Sequence, residues 1–188
     1  MFYLLTIVLG VIIISAFNIF IPSLCVFSWW QIILFTIGLT IIEIAINGFF
    51  AFIIRRALPK KWFSGLKKIY SATKKESRFY QTLAIKKWKD KVLELGCFTN
   101  FRKNKIYEPK SNDYVGRYIL EANFGVVIHF VDLFANFILV FMFGKMFFSM
   151  TIPIAIIGLF LNLLPLMVLR YNLPKLHALY QFNEKRKA

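Results

Sequence analysis

Five side chains that could do chemistry lie within stretches that are mainly apolar. Glu121, His129 and Asp132 lie in the run 118–143, Glu43 in the run 31–54, and Asn162 in the run 146–169. An ionisable group at hydrocarbon depth costs about 2.5–3.5 kcal/mol on insertion scales, so such groups usually face a protein interior or a wet cavity and serve a function there. His129 and Asp132 are one helical turn apart, a spacing at which a carboxylate can hold an imidazole in one tautomer, as a general base requires. Glu43 competes for that role. Glu43 and Asn47 share a helix face; Asn47 reads equally well as a polar contact between membrane helices. A lone histidine in a membrane helix also has a bland reading, as a bridge between helices.

The same residues limit the other chemistries. Glu121, His129 and Asp132 offer a metal one histidine and no neighbouring cysteine, so no metal and no cofactor is expected. His177, near the C-terminus, is read as lying outside the apolar runs and outside the chemistry. The sequence contains no HExxH, no Walker loop, no GxSxG elbow and no HxxxxD pair, which removes several classes of soluble enzyme.

The elements that must position these groups follow from composition. Hydrophobic residues are 59% of 188, with 22 phenylalanines, and the mean hydropathy is +0.63; an ordinary soluble domain is excluded. The expected fold is all-α and integral to a membrane. Four transmembrane helices are expected, at about 2–21, 31–54, 118–143 and 146–169, in a single membrane domain 1–188. Trp29 and Trp30 mark an interface between the first two spans, and Gly144-Lys145 forms the turn between the last two. Pro165 is expected to kink the fourth span, and a solvated tail occupies 170–188.

The loop 55–117 carries 18 of the 24 Lys and Arg residues. Positive charge beside spans marks the cytoplasmic side, so the loop and both termini are expected there, in a multi-pass protein of a bacterial cell membrane. Beside so apolar a chain, the net charge of +15 points to anionic membrane lipids or phosphate-bearing ligands rather than to nucleic acid. Trp62, Leu66, Ile69, Tyr70 and Thr73 recur at helical spacing, which predicts an amphipathic interfacial helix. A second basic cluster surrounds Trp88 with Lys86, Lys87, Lys89 and Lys91, suited to surface anchoring or to holding phosphates. Residues 104–113 read as loop. Cys25 and Cys97 fall on opposite sides of the expected membrane, so no disulfide is expected between them.

Depth arithmetic relates the spans. At about 1.5 Å per residue, His129 stands about 18 Å from Arg117, Glu43 about 18 Å from Arg55, and Asn162 about 12 Å from Arg170. Glu121, about 6 Å from Arg117 on the same scale, comes near the level of Arg170, so these two are expected to pair at the inner mouth of a cavity.

Several of these residues recur in a pattern. Arg170-Tyr171-Asn172-Leu173-Pro174-Lys175-Leu176, the cluster Lys87-Trp88-Lys89-Asp90-Lys91, Glu121 eight residues before His129, Asn162 eight before Arg170, and Arg56-Ala57-Leu58-Pro59 ahead of Trp62-Phe63 resemble the glycosyl-4,4'-diaponeurosporenoate acyltransferase family of small bacterial membrane proteins. The resemblance covers roughly 55–176 and is strongest at RYNLPKL; Glu43 and Asp132 have no counterpart in it. It implies transfer of a fatty acyl chain to a sugar hydroxyl of a glycosylated carotenoid, or of another glycosylated lipid acceptor, from acyl-CoA or another activated acyl donor. In that chemistry His129 is the candidate base and Asn162 the candidate oxyanion partner. Glu121 and Arg170 would shape the mouth, and Lys87, Lys89 and Lys91 would hold a phosphate-bearing donor. Tyr171, Asn172, Trp88, Glu43 and Asp132 complete the candidate substrate contacts. Two other classes fit the composition: a non-enzymatic scaffold or immunity-type membrane protein, and a small transporter subunit, the latter less well because no internal repeat is visible.

Overall fold

A computed structural model describes residues 2–21, 24, 26–92 and 106–187. All regular structure among the described residues is helical. Helices α1 (Phe2–Phe20), α2 (Trp29–Ala57), α3 (Lys74–Thr82), α4 (Ile85–Trp88), α5 (Asn112–Ala135) and α6 (Ile138–Lys187) follow one another, with short 3-10 turns at Lys60–Trp62, Lys68–Tyr70 and Lys89–Lys91. Three helical stretches are long and apolar enough to cross a membrane: Tyr3–Phe20, Trp29–Ala57, and the run Asn112–Arg186 that contains α5 and α6. Large apolar side chains point outward along them, Phe20 being 82% and Phe141 88% exposed. Such surfaces suit hydrocarbon rather than water. Cys25 and Cys97 lie outside the described residues.

The chain forms two compact units, 1–53 with 130–163, and 54–129 with 164–188. In the first unit, Ile14, Ile32, Leu39, Leu139, Met150 and Ile154 make the core. Phe27, Phe35 and Phe147 pack ring against ring, with centroids 5.0–5.4 Å apart. Phe147 is the one residue of α6 with non-helical dihedrals, φ −126° and ψ 32°, and divides the helix there. Gly10 lets α1 approach α6 closely, since a Cβ there would meet Ile157 at 2.7 Å. Without a hydrophobic drive between helices in lipid, close packing at small residues of this kind holds them together.

In the second unit Phe63 is buried and stacks on Phe124, centroids 3.9 Å apart. Its carbonyl accepts a 2.7 Å hydrogen bond from the buried Asn123 amide. Ile85, Val115, Ile119 and Leu173 are buried in the same unit. Thr73 opens α3 with a capping box, in which its hydroxyl accepts from the Glu76 backbone and Glu76 accepts from the Thr73 backbone.

The three prolines inside α6 explain several contacts. A proline lacks the N–H that would bond the carbonyl four residues earlier, and buried carbonyls need a donor. Pro153 strands the Ser149 carbonyl, which accepts from Asn18 Nδ2 at 3.4 Å. Pro165 strands that of Leu161, which accepts from the Tyr3 hydroxyl. Pro174 strands that of Arg170, which accepts from the Ala72 backbone N–H at 2.9 Å.

Several expectations are corrected. No helix runs through 62–73: Gly65 has φ +81°, and Lys67 Nζ and the Tyr70 hydroxyl both donate to the Trp62 carbonyl, folding the stretch into short turns. The turn expected at Gly144-Lys145 is not where the helix is interrupted. α5 ends at Ala135, α6 begins at Ile138, and the later break is at Phe147. Pro165 leaves the dihedrals of α6 helical. The tail is only partly solvated: α6 continues to Lys187, Leu173 and Leu176 are buried, and Asn183 donates to the Pro109 carbonyl at 2.7 Å, while Gln181, Phe182, Glu184, Lys185 and Arg186 are exposed. The helix starting at Asn112 supplies the apolar surface that this end packs on, with Gly116 meeting Tyr180.

Candidate functional site

The second unit holds a cavity of about 320 Å3 lined by Arg55, Lys60, Arg117, Leu120, Glu121 and Phe124. Its shape follows from where apolar sequence gives way to basic. Arg55 ends the apolar run of α2, Pro59 turns the chain at Lys60, and Arg117 and Glu121 sit one turn apart on α5. Arg55 Nη1 donates to Glu121 Oε2 at 2.8 Å, and its guanidinium lies 5.6 Å from the centre of the Phe124 ring. A volume of this size falls within the range of small-molecule sites, about 300–1,000 Å3.

Glu121 therefore pairs with Arg55, not with Arg170 as expected. Arg170 is committed to the 69–76 segment: it donates to the Ile69 and Ser71 carbonyls, each at 3.1 Å, and to both carboxylate oxygens of Glu76 at 2.9 and 3.0 Å. The physical reason is the clamp at Pro174, which brings Ala72 against the Arg170 turn and leaves Glu76 facing the guanidinium. Tyr171 is buried beside it, with Lys175 Nζ 4.2 Å from its ring centre, and Asn172 is half-buried.

His129 is half-buried on α5, two turns beyond Glu121. Asn162 is buried on α6 and donates to the Gly158 carbonyl at 3.1 Å. Glu43 and Asp132 belong to a polar cluster of the first unit. There Asn47 Nδ2 donates to Glu43 Oε1 at 3.1 Å and to Asn136 Oδ1 at 2.9 Å, and Asp132 lies within electrostatic reach of Glu43. Gly158 packs directly against Glu43 and Asn136. Asp132 Oδ1 and Asn136 Nδ2 are buried without a hydrogen-bond partner among the described residues. The void beside Glu43 measures only about 20 Å3, too small for a substrate.

In the basic cluster, Trp88 Nε1 donates to the Leu83 carbonyl at 2.9 Å, Lys89 lies 3.5 Å from Asp90, and Lys87 and Lys91 are exposed. The left-handed backbone at Ala84, φ 52°, precedes this short helix. Two features escaped sequence reasoning. Arg55 gave only a topological signal at the end of a span. His177, read as lying in the tail, packs with Nδ1 3.4 Å from Ser71 Oγ and buries Nε2.

The family model of the glycosyl-4,4'-diaponeurosporenoate acyltransferases matches residues 59–181, about two thirds of the chain. The chain belongs to that family. The match takes in Glu121, His129, Asn162 and the Arg170 clamp with its Glu76 partner, whereas Glu43 and Arg55 precede it. No match is found among curated proteins or among solved structures. The family's name implies acyl transfer, and the cavity around Glu121 lies largely within the matched stretch.

Proposed function

We propose that the protein is an integral-membrane O-acyltransferase that moves a fatty acyl chain onto a sugar hydroxyl of a glycosylated lipid, with a glycosyl carotenoid as the family acceptor. The observation that carries this reading is the family match over 59–181. The run Asn112–Arg186 is 75 residues long, far more than the roughly 20 one crossing needs. With the break at Phe147 this supports two spans there and four in all, with both termini on the side of the basic loop in the cell membrane.

In the proposed chemistry His129 takes the proton of the sugar hydroxyl as its oxygen attacks the acyl carbonyl. The developing oxyanion takes a hydrogen bond from the Asn162 amide. Collapse of the tetrahedral intermediate expels the donor's leaving group, which receives the proton from the imidazolium. Glu121, held by Arg55, orders the polar mouth, and Arg170 is a positioning residue for the 69–76 segment. Lys87, Lys89, Lys91 and Trp88 meet anionic headgroups at the membrane surface.

Lipid extracts of a host that makes the glycosylated acceptor, compared by mass with and without the protein, test this. The expected result is a new acyl ester with the wild type. His129→Gln and Asn162→Ala, at matched membrane abundance, are each expected to lower it by about 100-fold or more. An unchanged lipid profile, or full activity of His129→Gln, overturns the assignment.

A further inference from the structure

We infer that the Arg55–Lys60–Arg117 cavity is the site for the phosphate of the acyl donor. This rests on the acyl-transfer reading and adds what the donor must carry. Three cations and one carboxylate line the cavity, a net charge of +2. Glu121 is already engaged by Arg55, and neither Lys60 nor Arg117 forms an ion pair with a carboxylate among the described residues. Two cations thus face a cavity of about 320 Å3 uncompensated, an arrangement that favours an anion.

The remaining wall gives the ligand class. Leu120 and Phe124 are apolar, and Phe124 is buried, so the site offers cations on one side and hydrocarbon on the other. A simple inorganic anion would leave the apolar side unused, whereas a phosphate ester with an apolar arm uses both. Arginine suits that anion, because its planar fork binds phosphate oxygens in pairs, and Lys60 adds a point charge. Arg55, fixed between Glu121 and the Phe124 ring, keeps the floor of the cavity in place. The phosphate can come from a soluble coenzyme A thioester or from a phospholipid serving as acyl donor; both present the same group to the same cations.

The test uses the full-length protein in phosphatidylcholine nanodiscs, with coenzyme A as the soluble probe and phosphatidylglycerol doped into the disc as the lipid probe. Affinity is read by calorimetry for the first and by thermal stabilisation for the second. Lys60→Gln and Arg117→Gln are each expected to weaken at least one probe by about tenfold, as loss of one charge-assisted contact does. Lys145→Gln, an exposed lysine elsewhere, leaves both unchanged. Weakening confined to coenzyme A identifies a soluble donor, and weakening confined to phosphatidylglycerol a lipid donor. Equal affinity of wild type and both cavity variants for both probes, in proteins with unchanged thermal unfolding, overturns the inference, as does an equal loss in Lys145→Gln. Binding is read without turnover, so a cavity that binds phosphate in a protein that forms no ester leaves this site standing and removes the reaction.

Discussion

The backbone N–H of Ala72 donates to the carbonyl of Arg170 at 2.9 Å, the carbonyl that Pro174 leaves without its helical partner. The Arg170 side chain returns the contact, donating to the Ile69 and Ser71 carbonyls just before Ala72 and to Glu76. One helical turn, defined by an arginine and a proline four residues apart, thereby fastens the segment that starts α3. The stretch RYNLPKL, inside the family match, thus has a structural reading in which its arginine positions a loop.

Arg170→Lys removes that fastening while keeping the charge, because an ammonium cannot hold two carbonyls and a carboxylate in one plane. The expected loss is about 2 kcal/mol, seen as an apparent Tm lower by about 4–8 °C for a chain of this size, with new proteolytic cuts within 69–76. An unchanged Tm and cleavage pattern would refute the clamp.

Glu76 should make stability depend on acid. Burial raises its carboxyl pKa, but the contacts with Thr73 and with Arg170 outweigh burial and hold it below the ordinary 4.5. A carboxylate with a lowered folded pKa stabilises the fold above the unfolded value and loses that contribution as pH falls through the folded one. The Tm gap between wild type and Glu76→Gln is therefore expected to be full at pH 7 and to close as pH falls below the ordinary 4.5 and through the lowered folded value. A gap independent of pH would show that the carboxylate charge contributes nothing.

Tyr3 completes α6 at Pro165. Tyr3→Phe should cost about 1 kcal/mol, the net value of one hydrogen bond, by leaving the Leu161 carbonyl without its donor. In a Pro165→Ala background the helix supplies an N–H again, so the same substitution should cost little. A double-mutant cycle in detergent reads the difference directly; equal costs in both backgrounds contradict the account.

Gly158 lies against Glu43 and Asn136, while nothing lies within 4 Å of a Cβ at Gly48. Gly158→Ala is expected to destabilise by about 1–3 kcal/mol, as overpacking does, and Gly48→Ala to be neutral or better. Comparable unfolding of the two variants would mean that the polar cluster yields easily and that its tight packing has no energetic weight.

The residues themselves determined the class of this protein and much of its outline. Apolar runs of about twenty residues can satisfy their backbone in lipid only as helices, so α1 and α2 were legible to within a few residues, and RYNLPKL with its companions carried the family. Pairings were not legible. Arg55 meets Glu121 across 66 residues and Arg170 meets Glu76 across 94, distances over which no periodicity speaks. Helix faces were equally silent, because in hydrocarbon both the packed and the lipid-facing sides are apolar and amphipathic contrast disappears. Between 62 and 73 the apolar spacing matched a helix, yet a positive φ at Gly65 and side-chain bonds to the Trp62 carbonyl took precedence. Pro165 was visible as a breaker, but only the folded chain decided that the carbonyls stranded by Pro153, Pro165 and Pro174 would each find a donor from a distant segment and so leave the dihedrals around them helical.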